Sequence, residues 1–558
     1  MKSSLKNLLT IGLVAFIISS CGNKSADLLI PKDAALVIHI NANSLGSKLS
    51  WNDIKNTEWF SMAAREKTDE FEKKLLENPE NSGIDLKNDM YFFMKPSGRN
   101  MYIAFQGKLK DAKAFEETIK KLHKEVEIKK EGSMNYAGQG LDFMTWTNDR
   151  FMMVGETSMP DGYRGVPKAE LTKDSVLNFA KATYSLKSSN SIGNNSNFKS
   201  ILNEKGDLHF WMSNNLFMQQ YNQMGLSLFK ASSVLEGNTT GFTVNFDNGK
   251  ITGKSKTWYN KEMGDLMKKY QAGNLNTDML KKIPAGNVDA VIAMKYQPEA
   301  IKAFLKLLGI DGLADGYLSK AGFTLDDVIN ANKGDMLFAV TDLATKTETG
   351  ANSDYGYGPP KPDAKILFAT SINNKGAFDK LVDAGKNALS KIEGEGASEV
   401  LSKIKYEVKD DWFIVSNSQE NVNAFGGAAT DHAFINKISG HPFGAYIDLK
   451  KIIEGFGPDK MAMRYGMTSA DMSKILIWED VIMYGGEIKD GAGSSYFEVN
   501  LADKNTNSLK QLFNFVSSMA RMFMGAFESM HDSDFPYADS TAKPFPPVIV
   551  DSTVKQKN

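Results

Sequence analysis

From residue 30 onward the chain alternates short apolar runs, bounded by Gly, Pro, Asn and Asp, with stretches of helical period. Residues 30–41, IPKDAALVIHIN, place a proline-initiated turn before a run that reads as a strand. The same plan returns at 283–294, IPAGNVDAVIAM. Gly83-Ile84-Asp85-Leu86 before Met90 to Met94 matches Gly322-Phe323-Thr324-Leu325 before Met336 to Val340. Residues 102–121 match 366–385, a strand, a turn and a helix carrying Phe115 or Phe378. DRFMMV at 149–154 matches DDWFIV at 410–415, and 198–213 matches 434–448. Gly241 to Tyr259 matches Tyr484 to Asn500, each a predicted hairpin with turns at Asp247-Asn248-Gly249 and Lys489-Asp490-Gly491. One pair says little, because strands resemble strands; six in one order point to a repeat.

The pattern therefore predicts an α+β fold built as a tandem duplication, with halves at 30–280 and 281–505. Each half is expected to be a mainly antiparallel sheet with helices packed on it. Helices are expected near 111–127, 298–308 and 376–393; in the first, Phe115, Ile119 and Leu122 share one face. Residues 187–197 and 350–363 read as exposed loops. Residues 506–531 read as a C-terminal apolar helix rich in Phe and Met, with Lys510, Arg521 and Glu528 its charges. The polar, proline-containing tail at 532–558 is expected to be flexible and disordered.

The start of the chain follows different rules. Lys2 and Lys6 precede an apolar run from Leu8 to Ile18, too short to span a bilayer comfortably but right for a signal peptide. Ile18-Ser19-Ser20-Cys21 then resembles the lipobox of bacterial lipoproteins, and Cys21 is the chain's single cysteine. The resemblance implies a signal peptide at 1–20, a lipid on Cys21 and a tether at 21–29. Several acyl chains, at about 0.8 kcal/mol per buried CH₂, hold a protein durably on a membrane. By resemblance to lipoprotein sorting rules, Gly22-Asn23, without Asp at the second mature position, implies the outer membrane. The lack of an acidic cluster after it implies the periplasmic face rather than the cell surface.

Composition narrows the partners. Lys plus Arg number 66 against 67 Asp plus Glu, so a formal net charge of -1 gives no global field for nucleic acid. One cysteine excludes an internal disulfide and a thiolate metal cluster.

No catalytic motif stands out. The six histidines, His39, His123, His209, His432, His441 and His531, form no HExxH, and no serine sits in GxSxG. They read as structural or solvated, and a zinc site from His432 and His441 would need carboxylate help. Phosphate-cradling and calcium loops are missing, and the acid pairs Asp326-Asp327 and Asp410-Asp411 read as turn or cap residues. No catalytic, cofactor or metal residue is assigned. Asp174-Ser175-Val176, Asp539-Ser540-Thr541 and Asp551-Ser552-Thr553 resemble the acceptor of Bacteroidetes periplasmic O-glycosylation, making Ser175, Ser540 and Ser552 candidate acceptors.

Through the lipobox, the opening IPKDAALVIHINANSLGSKL and the paired halves, the chain resembles a family of Bacteroidetes lipoproteins described as a domain of unknown function (4836). The resemblance implies an address and an architecture and carries no catalytic residue. The expected role is a non-enzymatic one, binding or structural, in the envelope, with an envelope protein or a lipid as partner. Two alternatives stand beside it: a periplasmic carrier of a lipid or other hydrophobic ligand, in which 506–531 lines a groove, and a hydrolase whose acidic residues converge from both halves.

Overall fold

The computed structural model describes residues 28–519 apart from 58–59, 62–63, 65–68, 98–99, 159–170, 216–229, 231–233, 285, 347–360, 390–403, 428–430, 456–475 and 490. Its strands belong to one 18-stranded sheet. In the first half these are β1 (Leu36–Ile40), β2 (Met90–Ser97), β3 (Asn100–Lys108), β4 (Lys129–Glu131), β5 (Met134–Gln139), β6 (Asp142–Trp146), β7 (Arg150–Ser158), β8 (Leu208–Ser213), β9 (Thr239–Asp247) and β10 (Lys250–Trp258). The second half supplies β11 (Val288–Lys295), β12 (Asn332–Lys346), β13 (Lys361–Ile372), β14 (Lys405–Lys409), β15 (Trp412–Ser416), β16 (Phe443–Ile447), β17 (Trp478–Lys489) and β18 (Ala492–Leu501).

Every pairing is antiparallel. The halves meet where β10 pairs with β18, Lys250 opposite Asn500 and Trp258 opposite Ala492. Outward from this seam the first half runs β10-β9-β8-β1-β2-β3-β7-β6-β5-β4. The second runs β18-β17-β16-β11-β12-β13-β15-β14. Strand for strand, the two orders match until β5 and β4 extend the first. The outermost strands, KKE in β4 and KYEVK in β14, carry lysines that discourage further pairing at the edges.

One face of the sheet, the inner face, carries Val37 and Trp211 in the first half and Val291, Leu337 and Ala369 in the second, all buried. Helix α1 (Ser196–Leu202) covers the first set through Phe198 and Leu202. Helix α2 (Ile435–Ile438) covers the second through Ile435 and Ile438. Both lie close to the strands because the strand residue beneath is glycine. A Cβ on Gly241 would stand 2.2 Å from Ile201, and one on Gly444 would stand 2.4 Å from Ile438.

Residues 508–519 are helical, the described part of the expected C-terminal helix. They touch both halves: Leu509 and Phe513 pack on Trp51 and Ile54, Lys510 pairs with Asp53 at 3.0 Å, and Phe515 meets Trp478 edge-on at 5.7 Å. No helix among the described residues is long and apolar enough to cross a membrane.

Several local expectations meet the structure directly. The first expected helix spans Ala112–Leu122 and ends sooner than 127, capped by Asp111 at its start. The second spans Glu299–Leu308, and the third Lys375–Leu389. Asp327 completes a capping box with Thr324, and Asp410 and Asp411, at φ of 48° and 60°, make the β14–β15 turn. Residues 187–197, read as an exposed loop, are corrected. Their middle is buried, because Ser191 bridges Pro31 and donates through Oγ to the Leu28 carbonyl while Ile192 enters the core. Of the expected loop at 350–363, residues 350–360 lie outside the described residues and the last three begin β13. Residues 1–27 and 520–558, on which the expected signal peptide and tail fall, also lie outside them.

Candidate functional site

An antiparallel sheet commonly keeps one face apolar and leaves the other polar for water. Here runs such as MYFFM at 90–94, LHFWM at 208–212 and MLFAV at 336–340 are apolar at both parities, so the outer face is apolar as well. One cross-strand row on it passes through Phe368, Phe338, Ile292, Ala445, Met483 and Phe497. The row continues through Gly253, Val244, Leu208, Ile40 and Met90. It crosses the seam without meeting a charge.

The two ends of this face are covered. Helix Ala112–Leu122 lays Phe115 and Ile119 on Trp146 and Phe151, and helix Lys375–Leu389 lays Phe378 on Ile372 and Phe413. The middle is open. Ile292 is 41% exposed, Ile366 44% and Phe242 38%, whereas Val291, one residue from Ile292 but on the inner face, is fully buried. Helices Glu299–Leu308 and Asp311–Lys320 bury no residue, and Leu313 and Tyr317 stand out into solvent. An apolar area of this continuity on a folded surface marks a place where something apolar rests.

The inner face holds a polar cleft of about 320 Å³ in the second half. Strands β17 and β18 supply Asp480, Ile482 and Asn500, β16 supplies Tyr446, and α2 supplies Lys437, with His432 and Phe434 leading into the helix. The rings of His432, Phe434 and Tyr446 stack in a ladder, at 5.3 and 4.3 Å and tilted by 12° at each step. The Tyr446 hydroxyl donates to Asp448 at 3.2 Å, and burial beside that carboxylate raises its pKa. Asn500 donates to Asp480 at 2.7 Å; burial, with Glu479 adding repulsion, raises the Asp480 pKa. His432 is held below its usual range by burial and then by Lys451.

A third polar group is closed. His39 and His209, 170 residues apart, are both buried and bonded through their Nδ1 atoms at 2.9 Å. The Glu204 carbonyl, 2.9 Å from His209 Nε2, needs a donor there. In a neutral His209 the Nδ1 then accepts, and His39 Nδ1–H donates. His39 Nε2 faces Asp89 at 3.0 Å. Beside them the buried Asp207 accepts from Ser44 at 2.5 Å, Lys48 at 2.6 Å and the Phe246 N–H at 2.6 Å. These bonds tie the ends of β1, β8 and β9 together.

Of the residues singled out from sequence, Cys21, Ser540, Ser552 and His531 lie outside the described residues. Ser175 sits in the first turn of helix Lys173–Tyr184, where its Oγ donates to the Thr172 carbonyl and accepts from the Thr172 N–H in a capping box. His432 lines the cleft, while His441 meets the Glu487 carboxylate and the Tyr484 ring instead. No group of three or more His, Cys, Asp or Glu among the described residues is placed to hold a metal. The cleft residues Tyr446, Lys451, Asp480 and Asn500 carry no local motif, because each comes from a different element.

A family model described as a domain of unknown function (DUF4836) matches residues 27–412, most of the chain, and the chain belongs to that family. No curated protein matches it. Two solved structures, crystal forms IV and I of TP0453, are similar to it at 9% identity and a TM-score of 0.23. They cover 41% and 44% of this chain and 78% and 85% of their own.

Proposed function

We propose that this member of the DUF4836 family is a non-enzymatic, lipid-anchored envelope protein that holds acyl chains of a lipid on the open middle of its outer sheet face. Cys21 carries the anchor, residues 21–29 form the tether, and the body faces the periplasm from the outer membrane. The partners are thus the membrane, through the anchor, and the bound lipid, with nucleic acid disfavoured by the balanced charge. The observation that carries the reading is the charge-free row from Phe368 to Met90, with Ile292 in it and Ile366 and Phe242 on the same face each about two-fifths exposed. Each ~100 Å² of such surface taken out of water contributes about 2.5 kcal/mol.

Acids near the seam support binding over hydrolysis. Glu204 from the first half is neutralised by Lys254 and Lys256 at 3.2 and 2.5 Å, and Glu498 from the second by Lys250 and Lys437 at 3.2 and 2.5 Å. Of the two carboxylates that line the polar cleft, Glu479 is paired with Lys504 and Asp480 accepts from Asn500. The matched strand orders support a tandem duplication, with 508–519 bridging the halves.

Extraction of lipids from the purified native protein tests the reading. Stoichiometric lipid is expected in the wild type and little in an Ile292→Glu, Ile366→Glu variant. Equal lipid in both, or capture of an envelope protein on this face in place of lipid, overturns it.

A further inference from the structure

The polar cleft lies on the face opposite the apolar one, and its chemistry points elsewhere. Its three lysines each have an anionic partner: Lys504 pairs with Glu479, Lys437 with Glu498 at 2.5 Å, and Lys451 with Asp448 at 3.5 Å. Little net charge remains to draw in a small ion. What remains are donors and acceptors of both kinds, set close together on Asn500, Asp480, Tyr446 and the lysines.

Beside them stands the ring ladder of His432, Phe434 and Tyr446; Phe434 is buried between the outer rings, and the half-buried His432 and Tyr446 rings bring apolar surface next to in-plane polar groups. His432 Nε2 adds an independent sign: it is shut off from solvent and has no hydrogen-bond partner among the described residues, a cost in free energy that a turn of the ring toward a ligand group in the cleft would relieve. Burial keeps that imidazole neutral at neutral pH, able to accept or donate one bond. The volume of about 320 Å³ lies at the small end of ligand pockets, which run from about 300 to 1,000 Å³.

A ligand that suits flat apolar surface, dense hydrogen bonding of both signs and no net charge is one with C–H faces and a ring of hydroxyls. We infer that the cleft formed by His432, Phe434, Tyr446, Asp480 and Asn500 binds a neutral polyhydroxylated molecule about the size of one sugar ring. This site is independent of the apolar face; either can fail alone.

Saturation-transfer NMR on the mature chain tests it, with glucose, galactose and N-acetylglucosamine as probes, each at millimolar concentration. Glycine and acetate serve as zwitterionic and anionic controls. Transfer to the ring protons of at least one sugar is expected. Affinity for it should fall about tenfold in Tyr446→Phe and in Asn500→Ala, the loss of roughly one hydrogen bond to the site. The thermal melt of Tyr446→Phe should match the wild type, so a lost signal reports the site and not the fold. Transfer to none of the sugars, transfer to glycine or acetate alone, or sugar binding unchanged in both variants overturns the inference.

Discussion

Lys254 and Tyr496 face each other across the seam between the halves, with the lysine ammonium 5.7 Å from the ring centroid. Each stands five residues past its hairpin glycine, Gly249 (254 − 249) or Gly491 (496 − 491). The register therefore sets each residue opposite its own counterpart, and the two halves continue one another's sheet about that point. Helix α1 is tied to this seam by Glu204 beyond its end, and helix α2 by Lys437.

That geometry makes the glycine under each helix a sensitive position. Gly444→Val would drive a branched side chain into Ile438, where the backbone approach leaves no room. Overpacking of this kind typically costs about 1–3 kcal/mol. A clear drop in melting temperature is expected, against none for Gly312→Ala, whose added methyl meets nothing within 4 Å. Equal melts would contradict the close packing of α2 on β16.

The His39–His209 bond predicts non-additive substitutions. His39→Leu or His209→Leu alone leaves the other's Nδ1 buried without its partner, at about 1–3 kcal/mol. The double variant should cost less than the sum of the singles, by chemical-denaturant unfolding in a double-mutant cycle. Strict additivity would mean that the two rings do not bond.

Two carboxylates should respond to pH in opposite senses. Burial pushes Glu204 up, but Lys256 and Lys254 outweigh it, and its pKa is lowered. A lowered carboxyl stabilises the fold above its ordinary range, near 4.3, and that stability is lost as pH falls through the lowered value. Glu204→Gln should therefore destabilise at neutral pH, with the gap to wild type closing in acid. Asp480 is raised by burial, so its ionisation opposes folding as pH rises through the raised value. Asp480→Asn should gain stability at neutral pH relative to acid. Thermal melts across pH check both, and parallel curves for Glu204→Gln and wild type would refute the pairing.

The matched strand order was legible because strand pairs such as 36–40 with 288–295 keep their apolar runs and their turn residues in sequence. The turn role of Asp410-Asp411 and the cap role of Asp327 were legible too, since turns and caps are local chemistry. The buried Ser191 and Ile192 were not, because their partners, Leu28, Ile30 and Pro31, come from more than a hundred residues away. The same distance hides the cleft. The apolar outer face was present in the sequence as runs without alternation, which by themselves do not tell an uncovered sheet face from one buried between layers.

The anchor has its own test. A Cys21→Ala variant should keep its signal peptide or leave the membrane fraction, whereas the wild type stays with it. Retention of a processed Cys21→Ala protein in the outer membrane would remove the proposed address.

The most direct measurement of the central claim is titration of the mature protein with an environment-sensitive fluorescent fatty acid. The wild type should bind it with saturation, and Ile292→Glu together with Ile366→Glu should weaken it by about tenfold, since covering the exposed two-fifths of each isoleucine contributes roughly 0.6–1.3 kcal/mol. Saturable binding of equal strength in both proteins, or none in the wild type, would contradict the account.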